Sequence, residues 1–337
     1  MSSAPLLDTL GRPLGDLRVS VTDRCNFRCR YCMPRERFGK EHAFLPRAEL
    51  LTFEELCRVA VLLKGSLRKV RLTGGEPLLR KDLPALVAML AKIALLPIAL
   101  TTNGVLLPQF AEALARAGLE RLTVSLDALD NAVFSAVTDA DYDVTAVLSG
   151  IQAAERAGFK RLKINCVVRR GLNESEILPL ARHFHGSGHV LRFIEYMDVG
   201  STNGWRPEQV VSAAEIVERI DRELPLEPLE RSQRSDVAAR YTYRDGGGEL
   251  GVIASMTKPF CGDCSRLRLS ADGQLFTCLF AVTGTDLRGP LRVGATDAEL
   301  LSILRQVWEQ RADRYSEQRQ QQLIMPKRKL EMSYIGG

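Results

Sequence analysis

The chain has 337 residues, 45% of them apolar and 26% charged, and carries a net charge of +5. That length suits roughly two domains of about 150 residues each, with a sizeable core, and the composition excludes a disordered or fibrous chain. The modest charge speaks against a protein that coats nucleic acid, and the most apolar stretch, residues 83–100, is broken by Pro84, Lys92 and Pro97, so it falls short of the about 20 apolar residues of a membrane span.

In chain order, the predicted elements alternate. Residues 17–21 read as a strand. Residues 53–63 read as a helix capped by Thr52, with Glu55 completing a capping box. A strand over 70–73 ends in Gly74-Gly75. A helix over 83–93 leads to a strand over 98–101, followed by Asn103-Gly104. A helix over 108–117, closed by Gly118, leads to a strand over 121–126. A helix over 145–157, closed by Gly158, leads to a strand over 162–168, and a helix over 175–184 leads to a strand over 190–196. Glycine just past a helix end supplies the left-handed conformation that stops it. Strand and helix alternating at about 30-residue spacing make right-handed βαβ units on a parallel sheet. Six such units predict an α/β fold, an incomplete (β/α)6 TIM-type barrel with its chemistry on the loops after the strands.

After about residue 205 the pattern changes. Pro225, Pro228 and the polar run 230–236 read as a linker. The expected division is residues 1–225 as the partial barrel and 226–337 as a smaller α+β unit that closes its open side. Segments 239–243 and 250–254 flank Gly246-Gly247-Gly248 as a hairpin, Asp272-Gly273 marks a second, and 297–308 reads as a helix.

Residues 1–10 lack the charged-then-apolar pattern of a secretory or transit segment, so the chain is expected in the cytoplasm, where its eight cysteines stay reduced. Cys57 and Cys166 lie singly in apolar periodic segments and read as small core residues. The other six form two triplets. Cys25, Cys29 and Cys32 follow the first strand as C-x3-C-x2-C, and Cys261, Cys264 and Cys278 are spaced C-x2-C-x13-C. Such thiolates select zinc or an iron–sulfur cluster. On a cubane, three protein ligands leave one iron free to bind something else. A zinc site needs a fourth ligand, for which His42 is the candidate at the first triplet and Asp263 at the second. Arg266-Leu267-Arg268, if extended, turns both guanidiniums to one face, toward an anionic or heteroatom-rich substrate.

The run Cys25-Asn26-Phe27-Arg28-Cys29-Arg30-Tyr31-Cys32, aromatic just before its third cysteine, resembles the signature of radical S-adenosylmethionine enzymes. Gly74-Gly75-Glu76-Pro77 resembles that family's GGEP motif, in which glycines let the backbone approach the amino group of a bound methionine. With the second triplet in place, the chain resembles the GTP 3′,8-cyclase family of molybdenum cofactor biosynthesis almost end to end. The resemblance covers 14–33, 53–79, 101–104, 124–130, 192–205, 260–280 and the tail 332–337.

This resemblance implies two 4Fe-4S clusters, one on each triplet. It implies S-adenosyl-L-methionine held by Tyr31, Gly75, Ser125 and Met197, and GTP held by Arg18, Lys69, Arg71, Thr101, Lys163, Arg192, Arg266, Leu267 and Arg268. Gly336 and Gly337 would reach into the active site. The implied reaction makes (8S)-3′,8-cyclo-7,8-dihydroguanosine 5′-triphosphate: S-adenosylmethionine is cleaved reductively at the first cluster, the 3′ hydrogen of GTP is abstracted, and the ribose radical attacks C8. No catalytic residue is assigned beyond the cluster ligands. An external one-electron donor and a downstream cyclic pyranopterin monophosphate synthase are the implied partners, with no membrane or nucleic acid, and a homodimer is left open. The stretch Thr138-Asp139-Ala140-Asp141 lacks an arginine associated with this region in relatives. Apart from the resemblance, Arg18, Arg71, Lys163 and Arg192 lie on or near predicted parallel strands, where inward cations are costly unless they meet an anion such as a triphosphate.

Two alternatives stand beside this reading. One is a radical enzyme that modifies a peptide, a kind that usually carries more C-terminal cysteines. The other is a zinc-stabilised RNA-binding module, which 6% aromatic content supports poorly. His183, His185 and His189 read as an exposed connection. Asp127 and Asp130 are an acid–base pair by one reading, with Asp130 as a helix N-cap by the favoured one. Gly246-Gly247-Gly248 reads as a turn rather than a phosphate cradle.

Overall fold

The computed structural model describes residues 5–94, 96–231, 233, 235–319 and 329–336. Six parallel strands pair neighbour to neighbour in sequence order: β1 (Asp16–Ser20), β2 (Lys69–Thr73), β3 (Ile98–Thr102), β4 (Arg121–Ser125), β5 (Lys163–Val168) and β6 (Val190–Glu195). The helices that carry the chain back between them are α1 (Phe53–Leu63), α2 (Leu83–Ala94), α3 (Leu107–Arg116), α4 (Asn131–Thr138), α5 (Val144–Arg156) and α6 (Ile177–Phe184). The period of two along each strand sorts the side chains. Leu17 and Val19 on β1, Val70 and Leu72 on β2, and Ile164, Cys166 and Val168 on β5 pack into the core with the helices. The other parity, Arg18, Arg71, Asn165 and Arg192 among it, lines a cavity inside the sheet. Cys57 and Cys166 are core residues, as expected.

The capping box of α1 forms as its sequence dictates: the Thr52 hydroxyl accepts from the Glu55 N–H, and Glu55 accepts from the Thr52 N–H. Asp130 caps α4 by accepting from the Val133 N–H at 2.9 Å.

The C-terminal chain adds α7 (Ala213–Asp221), β7 (Leu226–Leu229), β8 (Ala239–Tyr243), β9 (Glu249–Ile253), β10 (Arg266–Leu269), β11 (Gln274–Phe276) and β12 (Thr285–Asp286). It ends with α8 (Arg288–Arg292), α9 (Asp297–Glu309), α10 (Tyr315–Gln318) and α11 (Met332–Ile335). These strands extend the same sheet at both edges, in the order β12-β11-β10-β1-β2-β3-β4-β5-β6-β9-β8-β7. β10 runs parallel to β1 and β9 parallel to β6, and both predicted hairpins form, β8–β9 and β10–β11. Among the described residues β12 and β7 do not pair with each other, so the barrel is incomplete.

Two corrections follow. The predicted linker starts too early, because Leu226–Leu229 is a strand paired with β8; Pro228 fits there because β7 is an edge, where a missing N–H leaves no ladder bond unmade. Helices α4, α7, α8, α10 and α11 and strand β12 are additional to the predicted elements. No helix among the described residues is long and apolar enough to cross a membrane.

Candidate active site

The loop after β1 carries the first triplet, and Arg28 pins it. Its Nε donates to the Phe38 carbonyl at 2.6 Å, and its Nη1 to the carbonyls of Cys25 and Phe27 at 2.7 and 2.8 Å. The N–H groups of Arg28 and Arg30 donate to the carbonyls of Thr138 and Val137 at the end of α4. Phe27 packs edge-on against Phe134, with centroids 5.9 Å apart. The additional helix α4 is thus the platform of the cysteine loop.

Burial pushes the Cys25 thiol up to about 12, and the Glu76 carboxylate adds to it. Burial also raises Cys29 and Cys32, with Asp127 the next cause at Cys29 and Cys25 the next at Cys32. Thiols held this way lose their protons to a bound metal rather than to water. Among the described residues, no three His, Cys, Asp or Glu side chains gather around a single-ion site. In a cubane each thiolate takes a different iron, and the three thiols share one cavity wall, so the donor set fits a cluster. His42 lies between Phe38 and Phe44, with its ring 4.7 Å from each, and Asp263 pairs with Arg231 at 3.5 Å.

Gly74 and Gly75 follow β2 and meet this loop. A Cβ on Gly75 would lie 2.3 Å from the Arg24 carbonyl oxygen, and one on Gly74 2.5 Å from that of Thr22. The tightest demand for glycine here therefore comes from the protein's own backbone. The adjoining Glu76 is 1% exposed. Its Oε1 accepts from the Leu78 N–H at 2.9 Å and the Thr102 hydroxyl at 2.7 Å, and its Oε2 from the Asn103 N–H at 2.7 Å. Burial outweighs these bonds and pushes Glu76 up to about 7. The side chain ties the end of β2 to the end of β3.

Tyr31, Gly75, Ser125 and Met197 all line the one cavity. The Tyr31 hydroxyl donates to Asp127 Oδ2 at 2.7 Å, and the Val167 N–H donates to Oδ1 at 2.8 Å. Burial pushes Asp127 up to about 6 despite those donors. Considered from sequence only as an acid–base group, Asp127 is in place a buried acceptor that holds Tyr31.

Strand register builds the basic wall. Arg18 on β1 is level with Arg268 on β10 and Arg71 on β2, and Asp16 is level with Arg266 and Lys69. Arg71 Nη1 donates to the hydroxyls of Thr101 and Thr123 at 2.9 and 3.3 Å, and Arg192 Nη2 donates to Asn165 Oδ1 at 2.6 Å. Arg18 Nε is buried with no hydrogen-bond partner among the described residues. Burial, then repulsion from Arg268, Arg266 and Arg71, drives the Arg18 pKa well down; burial first, with an arginine neighbour second, brings Arg192 to about 9 and Arg268 to about 10. Concentrated buried cations of this kind call for an anion. Arg18, Arg71, Thr101, Arg192, Arg266 and Arg268 line the cavity. Lys69 and Lys163 stand outside that lining: Lys69 pairs with Asp16 at 3.1 Å, and burial lowers Lys163 to about 8, with Arg192 adding to it. The Leu267 side chain packs in the core.

The second triplet sits at the opposite end of the strands. Cys264 precedes β10, which runs parallel to β1, whereas Cys25 follows β1. Cys261 opens a short turn closed by the Cys264 N–H to Cys261 carbonyl bond at 3.2 Å, and Cys278 follows β11. Burial pushes the Cys264 thiol up, but Arg266 and Arg311 outweigh it and bring it down to about 6. Arg266 Nε donates to Cys264 Sγ at 3.4 Å. Burial takes Cys278 up to about 11. The tail arrives between the triplets: Arg268 Nη1 donates to the Gly336 carbonyl, and Gly336 is left-handed (φ 73°) with Thr73 Cγ2 2.7 Å from where a Cβ would be. Gly337 lies outside the described residues.

The chain matches two family models, that of the radical SAM superfamily over residues 19–184 and that of Molybdenum Cofactor Synthesis C over 189–317. GTP 3′,8-cyclase of Acidothermus cellulolyticus is 54% identical over a 359-residue alignment covering 99% of each chain. The enzyme of the same name from Xanthomonas campestris pv. campestris is 52% identical over 100% of this chain and 99% of its own, and that from Staphylococcus haemolyticus 44% over 99% of each. Among solved structures, Streptococcus suis SuiB bound to S-adenosylmethionine superposes with a TM-score of 0.62 at 14% identity, over 87% of this chain and 68% of that one, a likeness of fold alone.

Proposed function

Because the chain belongs to the GTP 3′,8-cyclase family of radical S-adenosylmethionine enzymes, we propose that it joins ribose C3′ to guanine C8 of GTP, the first step of molybdenum cofactor biosynthesis. One observation carries the assignment of the site: both cysteine triplets and the inward arginines line a single cavity. A 4Fe-4S cluster on Cys25, Cys29 and Cys32 supplies, when bound, the electron for reductive cleavage of S-adenosylmethionine.

The chain's own part is binding, orientation and exclusion of water. Tyr31, Gly75, Ser125 and Met197 bind S-adenosylmethionine, with Asp127 fixing the Tyr31 hydroxyl. Arg18, Arg71, Arg192, Arg266 and Arg268 bind GTP, with Thr101, the main chain at Leu267, and Lys69 and Lys163 at the margin. Cys261, Cys264 and Cys278 would hold a second 4Fe-4S cluster, which would supply an open iron for the guanine base at the other end of the cavity. The tail at Gly336, whose carbonyl accepts from Arg268, closes the cavity on that side. Closure matters because a carbon radical reacts with whatever reaches it. After the C3′–C8 bond forms, the nucleotide takes up one electron and one proton to become the 7,8-dihydro product. Functionally, residues 1–225 serve S-adenosylmethionine and 226–337 serve the second cluster and the tail. An external one-electron donor in the cytoplasm and a downstream cyclic pyranopterin monophosphate synthase complete the proposal.

The test is anaerobic. Freshly isolated protein should contain about eight iron and eight labile sulfide per chain. Incubated with S-adenosylmethionine, dithionite and GTP, it should form 5′-deoxyadenosine and the cyclised nucleotide together. Zinc without iron or sulfide would remove the reading.

A further inference from the structure

Building on the second triplet as a cluster site, we propose that Asp8, Arg12 and Arg311 are its positioning residues, a buried ion triad that mounts the main chain of Cys261 and Cys264. The three residues are 6, 3 and 4% exposed. Arg12 Nε donates to Asp8 Oδ2 at 2.6 Å, and Arg311 Nη1 donates to the same oxygen at 3.3 Å. Asp8 Oδ1 accepts from the N–H groups of Leu10 and Arg12 at 3.0 and 2.9 Å, which closes the N-terminal segment into a turn.

Both guanidiniums then reach past the carboxylate to the cysteine turn. Arg12 Nη1 donates to the Cys261 carbonyl at 2.8 Å and to the Asp313 carbonyl at 2.7 Å. Arg311 Nη1 donates to the Cys264 carbonyl at 2.7 Å. Around them, the Thr9 hydroxyl donates to the Arg311 carbonyl at 2.7 Å, the Trp308 indole N–H donates to the Arg12 carbonyl at 3.3 Å, and the Arg311 guanidinium lies 4.7 Å from the Trp308 ring centre. The chain's first described segment and the end of α9 thus meet behind the second triplet.

Packing alone does not call for this arrangement, since burying three charges costs several kcal/mol of desolvation per ion and apolar side chains would fill the space. What the ions add is direction. The turn Cys261–Asp263 is three residues long with no side-chain cap, and with Cys264 directly after it supplies two of the three ligands. The first triplet uses the same device locally, with Arg28 donating to the carbonyl of Cys25. At the second triplet the equivalent donors come from 249 residues upstream and 47 downstream. Fixing the carbonyls behind metal-binding side chains is how outer groups orient ligands, and their loss costs about 10- to 100-fold in metal affinity.

The experiment uses the full chain, purified anaerobically with its clusters. Asp8→Asn removes the shared counter-charge and keeps the shape. Iron and sulfide per chain, the rate of iron release to a chelator, and the electron paramagnetic resonance signal of each reduced cluster are compared with wild type. The Cys278→Ala variant supplies the spectrum of the first cluster alone. The expected result is that half of the iron leaves about 10-fold faster than in wild type, while the first cluster's signal is unchanged. Equal loss of both clusters, or release of neither faster than wild type, overturns the mount. If Asp8→Asn does not fold, Arg12→Lys keeps the ion pair, removes the fork to the Cys261 and Asp313 carbonyls, and is read by the same criteria. Wild-type protein with iron for only one cluster would instead overturn the reading of the second triplet, so the two failures are told apart.

Discussion

The two cysteine triplets face the same cavity but are built in opposite ways. The first is a single run, Cys25 to Cys32, pinned by Arg28 from within that run. Acids surround it: Glu76 bears on Cys25, Asp127 on Cys29, and Glu331 on Cys32. The second is assembled from the two ends of a hairpin and held by residues from distant parts of the chain. Arginines surround it, and Arg266 and Arg311 pull Cys264 down to about 6, while Cys25 stands at about 12. The lesson is electrostatic. An acidic setting suits a sulfonium cation, and a basic setting suits a nucleotide anion, so each end of the cavity is matched to the molecule proposed for it.

The hardest break of this comparison is removal of a ligand. Cys29→Ala should abolish both formation of 5′-deoxyadenosine and cyclisation. Cys278→Ala should abolish cyclisation but leave cleavage of S-adenosylmethionine measurable, since the first cluster remains. Full GTP turnover by Cys278→Ala would remove the role of the second region. A second break uses cluster-free protein prepared with a chelator. Above about pH 6 the Cys264 thiol is mostly ionised, whereas Cys25, at about 12, is almost wholly protonated at neutral pH. Thiolate is the reactive form, and the lower nucleophilicity of the more acidic thiol offsets only part of the gain. Iodoacetamide at pH 7.5 should therefore label Cys264 on the order of 100-fold faster than Cys25, by peptide mass spectrometry. Its rate should titrate near pH 6, and Arg266→Gln should move that midpoint upward.

The same contrast governs what the sequence made legible. The six parallel strands, the α1 capping box and both hairpins could be read because their signals are local: a period of two, a cap three residues before its partner, a glycine in a turn. The first triplet is equally local. Helix α7 carries a readable Ser212 cap on Glu215 and an apolar pair at Ile216 and Ile220, but at nine residues it gives that period hardly two repeats. Strand β7 carries Pro228, a signal that points away from a strand except at an edge. Glu76 was legible as part of a motif but not as the tie between two strand ends, and Asp8, Arg12 and Arg311 not at all. Their roles come from contacts across up to 303 residues, and one sequence contains no signal for such pairings. Lys69 and Lys163 share the inward parity of their strands, yet parity does not tell which inward residues reach the cavity wall.

A milder test sharpens the basic end. Arg18 has a buried Nε without a partner, and Arg268 stands beside it in register. Charge-assisted hydrogen bonds contribute about 1.5–3 kcal/mol each, so Arg18→Met or Arg268→Met should weaken GTP binding by about 10- to 150-fold. Calorimetry on cluster-loaded protein should find S-adenosylmethionine affinity unchanged in both. Equal weakening of the two ligands would mean that the ends of the cavity are not electrically separate.

The smallest effect is expected at the acidic end, from Tyr31→Phe. Burial raises Asp127 to about 6, and the Tyr31 hydroxyl bond works against that rise. Below about pH 6 the carboxyl is protonated and offers no charge to a sulfonium; above it the carboxylate does. Affinity for S-adenosylmethionine in cluster-loaded protein should thus be level above about pH 7 and fall as pH drops through about 6. Stability runs the other way for this group. The folded chain holds the proton more tightly than the unfolded one, so the contribution is present below the ordinary carboxyl range, is lost as pH rises to about 6, and is constant beyond. Removing the hydroxyl takes away a hydrogen bond worth about 0.5–1.5 kcal/mol to the charged form, so the midpoint should move to between about 6.4 and 7.1 and affinity at pH 7.5 should drop by less than about 2-fold. Asp127→Asn should flatten the dependence altogether. A Tyr31→Phe variant whose midpoint stays near 6 would mean that the Tyr31 hydroxyl does not tune this carboxylate.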